Sequence, residues 1–214
     1  MTEERICVII AGGDVTGQIN VPDGALVLCA DGGYAHAKRQ GIVPDIVIGD
    51  FDSYTDSIPD GVKTLRLPVE KDVTDTFRCV QYGEEQGFSQ FHIYGALGGE
   101  RIDHSVACLQ MLRYLYERGE GAILYHGNTV LSMQYGRGVT FRYPKFEGDF
   151  SVFSLTEESR GVTIRGTKYE TDRITLKNSF PLGVSNTITA DCAEITMEEG
   201  LLLIVQVRRE EHKS

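Results

Sequence analysis

The sequence predicts an α/β domain built on a doubly wound, mostly parallel sheet, followed by an all-β sandwich domain. Three observations carry this. In the first half, short β-branched runs alternate with helix-like segments. Those runs are continuously apolar rather than alternating, as strands covered on both faces must be. After about Gly127 the helix-like segments stop, and short strands separated by Gly, Asn and Asp follow one another. The expected domains are therefore 1–126 and 127–214.

Taken in order, R-I-C-V-I-I, A-L-V-L-C-A, D-I-V-I-G, K-T-L-R-L, F-H-I-Y-G and A-I-L-Y-H read as the strands of the first domain. Helices are expected over Gly33 to Gln40, Val73 to Gln86 and His104 to Arg118. The last is the clearest, with Val106, Leu109, Met111, Leu112 and Leu115 near helical spacing and Gly119 as its stop. In the second domain S-V-F-S-L, G-V-T-I-R-G, R-I-T-L, N-T-I-T-A and L-L-L-I-V-Q-V read as strands.

A chain of 214 residues, 41% hydrophobic and 24% charged, can bury a proper core. Its net charge of −10 argues against a broad nucleic-acid footprint, which needs a basic face. An anionic substrate must then be met locally, by metal ions or a few arginines. The five cysteines (Cys7, Cys29, Cys79, Cys108, Cys192) form no C-x-x-C and mostly sit in apolar runs, which suits a reducing cytoplasm. No stretch approaches the roughly 20 apolar residues of a membrane span, and the N-terminal apolar run is too short for a signal peptide. The expectation is a cytoplasmic protein with no membrane partner.

The chemistry concentrates at strand ends. In V-I-G-D-F-D-S, Asp50 and Asp52 stand two apart, and in an extended chain both point to one side. Two carboxylates so close repel unless a divalent cation lies between them. Alone, such a pair reads more readily as a turn, where aspartates bond their own backbone. Three other strand ends carry acids, however: Asp31-Gly32-Gly33, Lys71-Asp72-x-x-Asp75, and G-G-E-R-I-D-H with Arg101 and Asp103. Open α/β sheets bind ligands beyond the carboxyl ends of their strands, so these loops should meet in one crevice. Asp72 and Asp103 read as helix caps as readily as ligands, and His104 more readily as a packed residue than a catalytic one.

The turns Asp31-Gly32-Gly33 and Gly95-x-x-Gly98-Gly99 offer backbone that can approach a phosphate closely. Neither G-x-G-x-x-G nor the P-loop pattern occurs. Carboxylates, glycine turns and Arg101 together suggest a magnesium polyphosphate, with Lys71 in support.

Taken together, A-D-G-G at 30 to 33, G-D-F-D-S at 49 to 53, K-D-x-T-D at 71 to 75 and G-G-E-R-I-D-H at 98 to 104 resemble the thiamine pyrophosphokinase family over nearly the whole chain. The resemblance implies an α/β catalytic domain that binds ATP and Mg2+, a β-sandwich that binds thiamine, and a homodimer. Its reaction transfers a pyrophosphoryl group from MgATP to the hydroxyethyl oxygen of thiamine, giving thiamine diphosphate and AMP. Carried over by position, Asp50, Asp52, Asp72 and Asp75 would lie about the magnesium and triphosphate. Asp31, Gly32, Lys71, Arg101 and Asp103 would complete the crevice, and Ser185-Asn186 would help hold the aminopyrimidine. Glu100 intervenes before Arg101 where the family pattern has no residue. The chain also lacks the tryptophan on which some members stack thiamine.

Two rival functions suit parts of this pattern. D-F-D-S alone suits a metal-dependent phosphohydrolase, and the two domains alone suit a non-catalytic nucleotide- or thiamine-binding module. Neither accounts for all four acidic loops together with the second domain.

Overall fold

A computed structural model describes residues 5–51, 61–68, 72–99, 101–136 and 138–209. The chain divides into two compact units, Met1–Gly127 and Asn128–Ser214.

In the first unit, β1 (Ile6–Ile10), β2 (Leu26–Ala30), β3 (Ile46–Gly49), β4 (Lys63–Arg66), β5 (Gln90–Tyr94) and β6 (Gly121–His126) form the order β4-β3-β2-β1-β5-β6. Every pairing is parallel. β1, β2 and β3 are almost wholly buried, which explains their uninterrupted Val/Ile/Leu composition; β4 is exposed, as an edge strand. The chain builds outward from β1 to β4, then reverses to β5 and β6 on the other side. That reversal makes a topological switch point between β1 and β5, where such sheets open a crevice at their carboxyl edge.

Among the described residues three helices connect these strands: α1 (Gly33–Arg39), α2 (Asp75–Glu85) and α3 (Ile102–Glu117). Cys79, Val80 and Gly83 are the buried residues of α2, and Cys108, Met111, Leu112 and Leu115 those of α3. Among the described residues no helix is long and apolar enough to cross a membrane. All five cysteines are free thiols, and burial pushes Cys7 and Cys29 up to about 12.

The second unit contains β7 (Thr129–Tyr135), β8 (Thr140–Pro144), β9 (Gly148–Ser154), β10 (Glu158–Arg165), β11 (Thr171–Lys177), β12 (Cys192–Thr196) and β13 (Leu201–Arg208). β13 lies antiparallel between β7 and β9, while β11-β10-β12-β8 form an antiparallel sheet of their own. Phe150, Val152, Leu202 and Ile204 meet Val162, Ile164, Leu176 and Ile195 in one core, so the architecture is a sandwich, and the fold class is the one expected.

One expected strand is absent. N-T-I-T-A makes only isolated bridges, Asn186 to Phe150 and Ile188 to Thr167. Ser185 takes a left-handed φ of 56°, which breaks the extended run at its start. β7, β8 and β12 were not among the expected strands, because their apolar residues are too interspersed with Ser, Gln, Arg and Glu to read as a run.

Candidate active site

Glycine is what lets the loops of the first unit converge. A Cβ on Gly33 would be driven into the Ile10 carbonyl oxygen, and one on Gly13 would stand 2.5 Å from the Gly95 carbonyl oxygen. Gly95 itself holds a φ of +67°. At the end of β3, a Cβ on Gly49 would lie 2.9 Å from Cβ of Asp31, so only glycine there lets the loops carrying Asp31 and Asp50 lie side by side.

The result is a cleft of about 940 Å3 at the carboxyl edge of the sheet. It is lined from β1 by Gly12, Gly13 and Asp14, from β2 by Asp31 and Gly32, and from β3 by Asp50. The start of α2 contributes Asp72, Thr74, Asp75 and Thr76; the turn after β5 contributes Gly95, Gly98 and Gly99; and the start of α3 contributes Arg101 and His104. Asp31, Gly32, Asp50, Asp72, Asp75 and Arg101, all singled out in the sequence, thus share one hollow. Asp52 and Lys71 lie outside the described residues, as does Glu100.

The local geometry corrects two expectations. Phe51 takes a φ of 61°, so the chain turns left-handed immediately after Asp50 and is not extended there. Strand alternation therefore does not continue through Phe51. Nor does Asp72 cap α2: Thr74 does, its Oγ1 accepting from the Phe77 N–H at 3.2 Å. Asp75 is the first residue of that helix, where a negative charge is favoured by the helix dipole.

Arg101 is the N-cap residue of α3 but makes no side-chain cap. Its guanidinium instead grips Asp103 in a fork, Nε to Oδ1 at 2.9 Å and Nη2 to Oδ2 at 2.6 Å. That hydrogen bonding holds the Asp103 carboxyl down at about 2. Asp103 is absent from the cleft lining and borders it through its fork with Arg101. Arg66, on β4, places its guanidinium 5.3 Å from the centre of the Phe51 ring and adds a cation beside the Asp50 turn.

Among the described residues no three His, Cys, Asp or Glu side chains stand close enough to hold a metal by themselves. Magnesium rarely asks for that: it keeps waters and takes one or two carboxylates together with substrate phosphates. Hard carboxylate oxygens from Asp31, Asp50, Asp72 and Asp75 around one hollow fit such an ion.

In the second unit, Asn186 is buried at 7% exposure, and its amide is occupied within that unit. Its Nδ2 donates to Thr167 Oγ1 at 3.1 Å and to the Tyr169 carbonyl at 2.8 Å; its Oδ1 accepts from the Tyr169 and Thr187 N–H groups at 3.0 and 2.9 Å. With donors and acceptor engaged, the side chain fastens a loop. Ser185 beside it is exposed, and its N–H donates to Ser151 Oγ at 3.0 Å.

Sequence reasoning missed Asp14, Gly12, Gly13, Thr74 and Thr76. The signal for the first three was legible: A-G-G-D follows β1 much as A-D-G-G ends β2.

Residues 21–124 match the family described as "Thiamin pyrophosphokinase, catalytic domain", and residues 140–202 match "Thiamin pyrophosphokinase, vitamin B1 binding domain". No curated protein matches the chain. Among solved structures, thiamine pyrophosphokinase from Bacillus subtilis is 21% identical with a TM-score of 0.86, covering 96% of this chain and 100% of its own. The enzyme from Geobacillus thermodenitrificans is 20% identical with a TM-score of 0.82, covering 96% and 99%. That from Candida albicans is 16% identical with a TM-score of 0.72, covering 96% and 90%. At these identities the likeness is one of fold.

Proposed function

The chain belongs to the thiamine pyrophosphokinase family, whose enzymes transfer a pyrophosphoryl group to thiamine, and we propose that the carboxylate-lined cleft of its first unit is where it holds the triphosphate. The observation that supports this is the convergence of Asp31, Asp50, Asp72, Asp75 and Arg101 on one hollow. The family implies ATP as co-substrate and thiamine as acceptor.

Magnesium bound by some of these aspartates would neutralise phosphate charge and draw electrons from phosphorus. The chain's own residues do the rest. The backbone of Gly12, Gly13, Gly98 and Gly99 lets polyphosphate approach without side-chain obstruction. The amino ends of α2 and α3 face the cleft and favour negative charge there. Arg101, oriented by Asp103, meets the charge that develops as the bond to AMP breaks; such a group is worth about 10²–10³ in rate. A cleft carboxylate accepts the proton that leaves the thiamine hydroxyl as its oxygen attacks the β-phosphorus.

We further propose a cytoplasmic homodimer. Five cysteines retained as thiols suit a reducing compartment, and a sandwich of limited core gains from burying a face against a second copy. The test is incubation with thiamine, ATP and magnesium, followed by nucleotide analysis. AMP with thiamine diphosphate is the expected outcome. ADP as the sole nucleotide product, or phosphate release without need of thiamine, would overturn it.

A further inference from the structure

An acid that no cation neutralises is a poor neighbour for a triphosphate, yet Asp14 lines the cleft from the side of β1. Its carboxylate has a defined task there. Oδ2 accepts the Gly99 N–H at 2.8 Å across the switch point between β1 and β5. Two backbone bonds run alongside it, Ala11 N–H to the Tyr94 carbonyl at 2.8 Å and Gly13 N–H to the Gly95 carbonyl at 2.9 Å. From the other side Ser105, on α3, accepts the Gly98 N–H at 3.1 Å.

Gly98 and Gly99 both hold φ at +77°, a conformation with ample alternatives for glycine. Left untied, this turn would sample many positions, and Arg101 follows only two residues later. Among the described residues, the other bonds to the turn come from the Gly13 backbone and from Ser105 of α3. Asp14 is the one side chain among the described contacts that ties the turn to the neighbouring strand's loop.

We propose that Asp14 is a positioning residue for pyrophosphoryl transfer: by accepting the Gly99 N–H it fixes the Gly98-Gly99 turn and so sets where Arg101 enters the cleft. This rests on the reading of Arg101 as the group that meets the triphosphate. A tie of this kind affects the transition state more than the ground state, because misplacing a charge partner by about 1 Å can cost on the order of 10²-fold in rate. The negative charge of Asp14 meanwhile opposes nucleotide binding. Its removal should therefore lower kcat while leaving KM for ATP unchanged or reduced, a split that general loss of structure does not produce.

The experiment compares Asp14→Ala with Asp14→Asn, which keeps an oxygen acceptor for the Gly99 N–H. Asp14→Ala should lose about 10- to 100-fold in kcat and speed amide exchange over residues 95–101, while Asp14→Asn recovers most of both. Adding Asp14→Ala to Arg101→Ala should cost little beyond Arg101→Ala alone, since both act through one group. Equal losses in the Ala and Asn variants, additive losses in the double variant, or unchanged exchange in Asp14→Ala would each overturn the inference. Failure of the wild-type protein to release AMP would instead sink the functional reading, and the exchange measurement would still decide whether Asp14 holds the turn.

Discussion

Arg101 and Asp103 form a two-pronged ion pair at the mouth of the cleft, with Nη2 to Oδ2 at 2.6 Å, although both side chains are more than half exposed. So exposed a pair contributes little to folding. Its value lies in holding a guanidinium in one orientation.

Arg101→Ala is therefore expected to lower kcat by about 10²–10³-fold. Asp103→Ala should cost less, about tenfold, because the cation remains and loses only its orientation. Neither should move the melting temperature measurably. Steady-state kinetics beside thermal denaturation checks this; a large drop in melting temperature for either variant would assign the pair to stability instead.

Gly33→Ala should destabilise the first unit by about 3 kcal/mol, or prevent folding, because the new methyl meets the Ile10 carbonyl rather than a side chain that can turn aside. Gly41→Ala is the contrast, with open space at the site and only the cost of a positive φ. Chemical denaturation of the two variants distinguishes collision from conformational strain.

Asn186→Ala should destabilise the second unit by about 2–3 kcal/mol, since the Tyr169 and Thr187 N–H groups lose their acceptor. If Asn186 is a fastener, KM for thiamine in the folded fraction stays near the wild-type value. A large rise in that KM without loss of stability would assign it a ligand-holding role instead.

Glu120 carries a pH dependence. Burial, and secondarily the Glu84 carboxylate, raise its pKa from 4.5 to about 7. Glu84 is itself only 9% exposed, accepts the Tyr114 hydroxyl at 2.9 Å and pairs with Arg118. The folded state thus binds a proton at Glu120 that the unfolded chain releases near pH 4.5, so stability falls as pH rises from about 4.5 to about 7. Glu120→Gln should flatten this decline and raise the melting temperature at about pH 8. Melting curves across that window read the effect, and an unchanged slope would exclude Glu120 as its source.

Much of this was legible because buried parallel strands leave a simple trace. The buried strands β1, β2 and β3 appear as apolar runs, and the acids and glycines at the strand ends follow from where such sheets bind ligands. What was not legible depends on choices between chemically equal neighbours. Asp72, Thr74 and Asp75 can each cap a helix, and only the backbone path selects Thr74. Phe51 in a left-handed conformation has no signature in composition, and it interrupts strand alternation after Asp50. N-T-I-T-A has good strand residues, yet Asn186 spends its amide on Thr167 and Tyr169 and holds the segment as a loop. A-G-G-D marked Asp14 in the sequence, but its bond to Gly99 was not legible, because the two are 85 residues apart.

The central claim is that dispersed aspartates act together on one metal-bound triphosphate. Calorimetric titration of a non-hydrolysable ATP analogue, with and without magnesium, into wild-type protein and Asp50→Asn tests it most directly. Magnesium-dependent nucleotide binding is expected in the wild type, and loss of that dependence in the variant. Binding of equal strength in both proteins, indifferent to magnesium, would contradict it.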